Sequence, residues 1–168
     1  MPDQVDRIIE QWHAEKPELD VSSMATLGRL SRTTLVVESC LAQTFARHGL
    51  DAPSFDVLAT LLRSGTPYRI APLDLAREAM ISTSAVAQRL NKVETRGLVT
   101  REANPDDGRG TLVSLTDAGR NLIETALPDH LKTEHAITAV LSTDEQALLG
   151  VLLQRISIAA SSRQPPVA

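Results

Sequence analysis

The hydrophobic period of this chain changes once, abruptly, at Gly97, and that change constrains the fold more than any other feature. Before it, PLDLARE opens on a proline suited to the first position of a short helix. MIS follows, and TSAVAQRLNKVETRG then carries Val86, Leu90 and Val93 at the i, i+4, i+7 spacing of one helix face. Gly97 supplies the stop. After it, LVTRE alternates apolar and polar residues, NPDDGRG is dense in turn formers, and TLVSL returns as a second short strand. Two helices joined by a tight turn and followed directly by a β-hairpin make a winged helix-turn-helix.

Helical segments flank this core. VDRIIEQW sets Val5, Ile8, Ile9 and Trp12 at helical spacing and stops near Pro17. A second helix opens at Ser22 or Ser23 and carries Met24, Leu27, Leu30, Leu35, Leu41 and Phe45 before ending at Gly49. Ser54 is placed to cap a third, whose stripe is Phe55, Leu58, Leu61 and Leu62. Beyond the hairpin, Thr116 or Asp117 caps a helix predicted from Ala118 to about Val140, with Pro128 expected to kink or break it. Ser142 and Glu145 form a capping box for a last helix bearing Leu148, Leu149, Leu152, Leu153 and Ile156.

The expected fold class is mainly α with a small β-hairpin wing (α+β). N-terminal helices over 1–48 serve a pocket and dimerisation, and a winged helix-turn-helix DNA-binding domain covers 49–120. Dimerisation helices follow over 121–160, with a disordered tail over 161–168. The terminal helices carry apolar faces with no obvious partner in the winged core, so a homodimer is expected. Symmetric pairing would place two recognition helices ~34 Å apart, one DNA turn, as a palindromic operator requires.

Composition removes other classes. With 42% hydrophobic and 23% charged residues in 168, the chain is not disordered, collagenous or disulfide-stapled. A single cysteine, Cys40, and four scattered histidines give neither an internal disulfide nor a metal-binding spacing, and no cofactor is expected. The sequence holds no G-x-S-x-G, no phosphate-cradling glycine loop and no paired metal ligands, so an enzyme is not expected. No run approaches the ~18 to 20 apolar residues of a bilayer span, and the mixed charges of MPDQVDRIIEQW do not read as a leader, so a cytoplasmic location is expected. The net charge of −4 argues against nucleic acid only on average. Arg69 to Arg120 holds eight basic residues against seven acidic, and the remainder nine against fourteen, so the acidity sits in the two ends.

With Val86, Leu90 and Val93 facing inward, the opposite face of the second helix presents Ser84, Gln88 and Asn91, with Thr83 at its start and Lys92 beside them. Short polar groups of this kind reach base edges, Gln and Asn suiting adenine, and the lysine suits a phosphate. At the hairpin tip Asp107 can brace Arg109 for a narrow minor groove. The plain alternatives are a solvated helix face and an exposed loop. A winged-helix protein-interaction module is the corresponding alternative function. Cys40 sits among Val36, Val37 and Leu41 with no adjacent cation to activate it, which reads as a packed thiol, redox sensing being the alternative.

The stretch from Leu73 to Arg120 resembles the DNA-binding core of the MarR family of bacterial transcription regulators. The resemblance rests on Gly97-Leu98-Val99, Arg101, Asp107-x-Arg109, Val113, Leu115-Thr116 and Gly119. Terminal helices flanking the winged core match that family's dimerisation region, so the resemblance covers nearly the whole chain. It implies a homodimeric, ligand-responsive repressor binding a palindromic operator in double-stranded DNA. A narrower resemblance, to the urate-responsive subgroup, follows from the extra first helix and implies Trp12, Asp56, Arg89 and Arg101 as effector-binding residues. The implied effector is urate or a related small anion. Trp12 offers a flat face for a planar ring, and the two arginines offer paired donors to anionic oxygens. Asp56 would balance the guanidinium charge until an anion arrives. Each also has a plainer use: Trp12 as a core anchor, Asp56 as a first-turn carboxylate, and Arg89 and Arg101 as phosphate contacts.

Overall fold

Local sequence chemistry sets most element ends in the computed structural model, which describes residues 2–79, 81–105 and 110–163. The chain divides into two compact units, residues 1–130 and 131–168. In the first, α1 (Gln4–Glu15) is capped by Asp3, whose carboxylate accepts from the Val5 and Asp6 N–H groups. It packs along α2 (Ser22–Arg47), with Val5 buried beside Gly28. Arg29 of α2 reaches both Asp3 (2.8 Å) and Asp6 (2.5 Å), and Arg32 bonds Gln4.

The third helix, α3 (Ala52–Arg63), begins one turn earlier than a Ser54 cap would set it. Asp51 is the cap, accepting from Ser54 N–H at 3.0 Å, and Pro53 sits in the first turn, where its missing N–H is not needed. Ser54 is buried inside the helix. Next come a two-residue strand β1 (Arg69–Ile70), then α4 (Pro72–Glu78) and α5 (Thr83–Thr95), the latter capped by Ser82. Gly97 follows α5 with φ 69°, a left-handed conformation that other residues adopt at a cost.

The hairpin is β2 (Val99–Ala103) and β3 (Thr111–Leu115), in antiparallel register from Val99↔Leu115 to Ala103↔Thr111. Its tip, with the Asp107 and Arg109 singled out above, lies outside the described residues. β1 adds to the other side of β3 through Arg69↔Ser114 and Ile70↔Val113, giving a three-stranded sheet in the order β1-β3-β2. This third strand was not expected. The core is built from Val57, Leu58 and Leu61 of α3, Leu75 of α4, Val86, Leu90 and Val93 of α5, Val99 and Val113 of the wing, and Ile123.

The last two helices are α6 (Asp117–Thr138) and α7 (Thr143–Ser161). Thr116 caps α6: its hydroxyl accepts from Gly119 N–H (3.0 Å) and donates to the Gly97 carbonyl (2.7 Å). Gly119 is required by space, since a Cβ there would lie 1.9 Å from the Leu98 carbonyl oxygen. In the same unit His130 stacks on Phe45 at 5.4 Å and lies tilted against Phe55 at 4.6 Å, and His48 Nε2 lies 3.0 Å from Asp129 Oδ2. Pro128 does not break α6. The carbonyl it leaves without a helical donor, that of Glu124, belongs to an exposed residue where water can replace the bond.

The second unit contains α7, for which Ser142 and Glu145 form the expected capping box. Gln146 Nε2 closes the preceding turn by donating to the Thr138 and Leu141 carbonyls. Helical structure runs through Ser161, the first residue of the expected tail, and residues 164–168 lie outside the described ones. No single described helix is long and apolar enough to cross a membrane.

Candidate DNA interface and effector site

The two faces of α5 separate cleanly. Val86, Leu90 and Val93 are buried, while Thr83, Ser84, Gln88, Asn91 and Lys92 are all exposed. The exposed side chains are not all idle. Lys92 Nζ lies 2.6 Å from Asp51 Oδ2, and Arg101 Nη2 donates to Asn91 Oδ1 at 2.6 Å.

One turn before Lys92, Arg89 Nη1 meets Asp56 Oδ2 at 3.3 Å. Asp51 and Asp56 stand at the cap and in the first turns of α3, so two ion pairs tie the exposed helix to one end of its neighbour. Burial pushes the Asp51 carboxyl up, but the Lys92 ammonium and Ser54 outweigh it and hold the group at about 2. Arg101, on β2, is held from a second direction by Glu94, Nε to Oε2 at 3.3 Å. Asp51 and Glu94 were not singled out in the sequence. Their partners stand 41 and seven positions away, and only the fold makes them neighbours.

The MarR family model matches residues 48–110, from the end of α2 into the wing. The transcriptional regulator PecS of Dickeya dadantii is 37% identical over 153 residues, covering 91% of this chain and 92% of that one. The chain belongs to the MarR family. Two solved structures extend the likeness. Sco3205 of Streptomyces coelicolor, a MarR family regulator in complex with DNA, superposes with TM-score 0.77 at 25% identity, covering 88% of this chain and 95% of that chain. A mutant MarR of E. coli complexed with operator DNA gives 0.72 at 26%, covering 82% and 99%.

Membership makes this a transcription regulator of a non-enzymatic, DNA-binding and ligand-responsive family, folded as a winged helix. Of the four residues matched to the urate-responsive branch of the MarR family, Asp56 and Arg89 are joined directly. Arg101 lies at the wing root and lines a cleft of about 240 Å³ with Pro72, Leu73, Thr83, Val86, Leu90 and Thr111 among its walls. Among the described residues no hydrogen bond, ion pair or pocket joins Trp12 to the other three. It is 39% exposed on α1, its side chain has no hydrogen-bond partner among the described residues, and it lines none of the described pockets. Cys40 is partly buried on α2. Among the described residues no cluster of His, Cys, Asp or Glu could hold a metal ion.

Proposed function

We propose that the protein is a homodimeric repressor, acting in the cytoplasm on a palindromic operator and released from it by urate or a related small planar anion. Thr83, Ser84, Gln88, Asn91 and Lys92 contact the major groove and its phosphates, and Arg109 contacts the minor groove. The DNA-bound solved relatives support the first assignment, while Arg109 rests on the sequence motif alone. Dimerisation is supported by α7, which buries none of its 19 residues.

The observation that carries the effector reading is the Asp56–Arg89 pair. Arg89 lies next to Gln88, so a group that competes for its guanidinium acts on the helix that reads DNA. Before the effector binds, Asp56 neutralises Arg89. An anion accepting from Arg89 and Arg101 repels the carboxylate and shifts α5 away from its DNA-competent position. Trp12 enters this reading on its sequence match, as the flat face against the effector ring.

The test is titration calorimetry with urate on the parent and on Arg89→Ala, beside operator binding with and without urate. The expected result is urate binding that Arg89→Ala weakens, and operator release that this variant loses. Operator DNA must weaken urate binding by the factor that urate weakens operator binding. No heat from the parent, or equal affinity in both proteins, sinks the urate assignment and leaves a regulator of unknown signal. Parent-like operator affinity in Gln88→Ala would instead sink the assigned DNA face.

A further inference from the structure

A carboxamide has one accepting and one donating end, and the two diverge, so fixing one fixes the other. A guanidinium has donors only. The atom of Asn91 that faces Arg101 Nη2 at 2.6 Å is therefore its oxygen, and the amide N–H₂ is left to point away from the wing root. Arg101 is itself restrained, by Glu94 on the next turn of α5 and by a strand position opposite the fully buried Val113. Arg101 and the Glu94 that restrains it both belong to the α5–β2 junction, while Asn91 stays exposed.

We infer that Arg101 is a specificity-determining positioning residue, which fixes the Asn91 carboxamide in one orientation before it meets a base edge. This rests on α5 being the base-reading helix. A free Asn pairs with adenine by accepting from N6 and donating to N7. With one of its oxygen's two acceptor sites engaged by Arg101, the Asn91 carboxamide cannot turn over, and the remaining acceptor site and the N–H₂ stay in a fixed order. Held this way it pairs with adenine in one sense only, the N6 amino group toward the wing side.

The experiment selects duplexes from a randomised pool with the full-length parent, Asn91→Ala, Arg101→Ala, Arg101→Lys and the Asn91→Ala/Arg101→Ala double variant. At the base pair where Asn91→Ala erases a preference, the parent prefers adenine on one strand. Arg101→Ala weakens that preference by about tenfold, because the freed carboxamide can turn. Arg101→Lys, which keeps a donor for the Asn91 oxygen, retains it. In the Asn91→Ala background, removing Arg101 changes base preference no further.

Parent-like preference in Arg101→Ala overturns the inference. So does a uniform loss of affinity across sequences with a shallower salt dependence, the signature of a phosphate contact. Unchanged preference at every pair in Asn91→Ala overturns it while leaving DNA binding in place. A parent that selects no sequence overturns the underlying reading together with it.

Discussion

Leu58 and Leu61 of α3 are fully buried, whereas Leu148 and Leu152 of α7 are 59% and 41% exposed. The two helices differ in pattern as well as in surroundings. Helix α3 has one apolar stripe, and α5, β3 and α4 lie against it. Helix α7 is apolar around most of its circumference from Ala147 to Ala160, and none of its residues is buried among the described residues. A helix of that pattern is ordinarily a core helix. The winged part of the chain completes its own hydrophobic core, whereas α7 keeps its apolar surface exposed among the described residues.

The largest way to break this contrast is to remove α7. A chain ending at Leu141 should lose more than about a hundredfold in operator affinity, because two linked half-sites become one. Light scattering and fluorescence anisotropy measure both terms, and a well-behaved monomer with parent affinity would contradict the contrast. A sharper comparison makes one substitution in each region. Leu58→Ala should destabilise by about 2–5 kcal/mol through the cavity it leaves. That loss should not depend on protein concentration. Leu152→Ala should instead lower Tm by an amount that shrinks as concentration rises, since mass action opposes dissociation. Equal concentration dependence in melting curves of the two variants would remove the distinction.

The smallest expected effect lies inside the winged part. The Asp51 carboxyl, held at about 2, is depressed from its ordinary 3.8, so the unfolded chain binds its proton at higher pH than the folded one. Its contribution is present above pH 3.8 and is lost as pH falls toward 2. Since Lys92 and Asp51 are both half exposed, screening leaves only ~0.5 kcal/mol. Urea unfolding should find Asp51→Asn less stable than the parent at pH 5 and nearly equal to it near pH 2. A gap that stays constant across that range would assign the loss to the cap and not to the charge.

Much of this molecule was legible before any coordinates. Pro72 marks the first residue of α4, Gly97 ends α5, and Ser142 with Glu145 opens α7, because each depends on neighbours within one turn. The errors have the same local origin. Ser54 and Asp51 are both good caps, and the choice fell to Asp51 because Ser54 is needed inside the helix where the core closes over it. β1 has only two residues, too few to show alternation, and exists because β3 presents a free edge. The Lys92–Asp51 and Arg89–Asp56 pairs join positions 41 and 33 apart, beyond any local rule. The family resemblance proposed Trp12, Asp56, Arg89 and Arg101 as one site, and the fold joins Asp56 and Arg89 of these directly.

The meeting of Gly119 with the Leu98 carbonyl has a mechanical side. With 1.9 Å where a side chain would begin, and with Thr116 bonded to both Gly97 and Gly119, the start of α6 and the root of β2 form a joint without slack. A rotation imposed on the first turn of α6 cannot be absorbed there by sliding. It is delivered to β2, and through Arg101 to Asn91, as a gear without backlash delivers a turn.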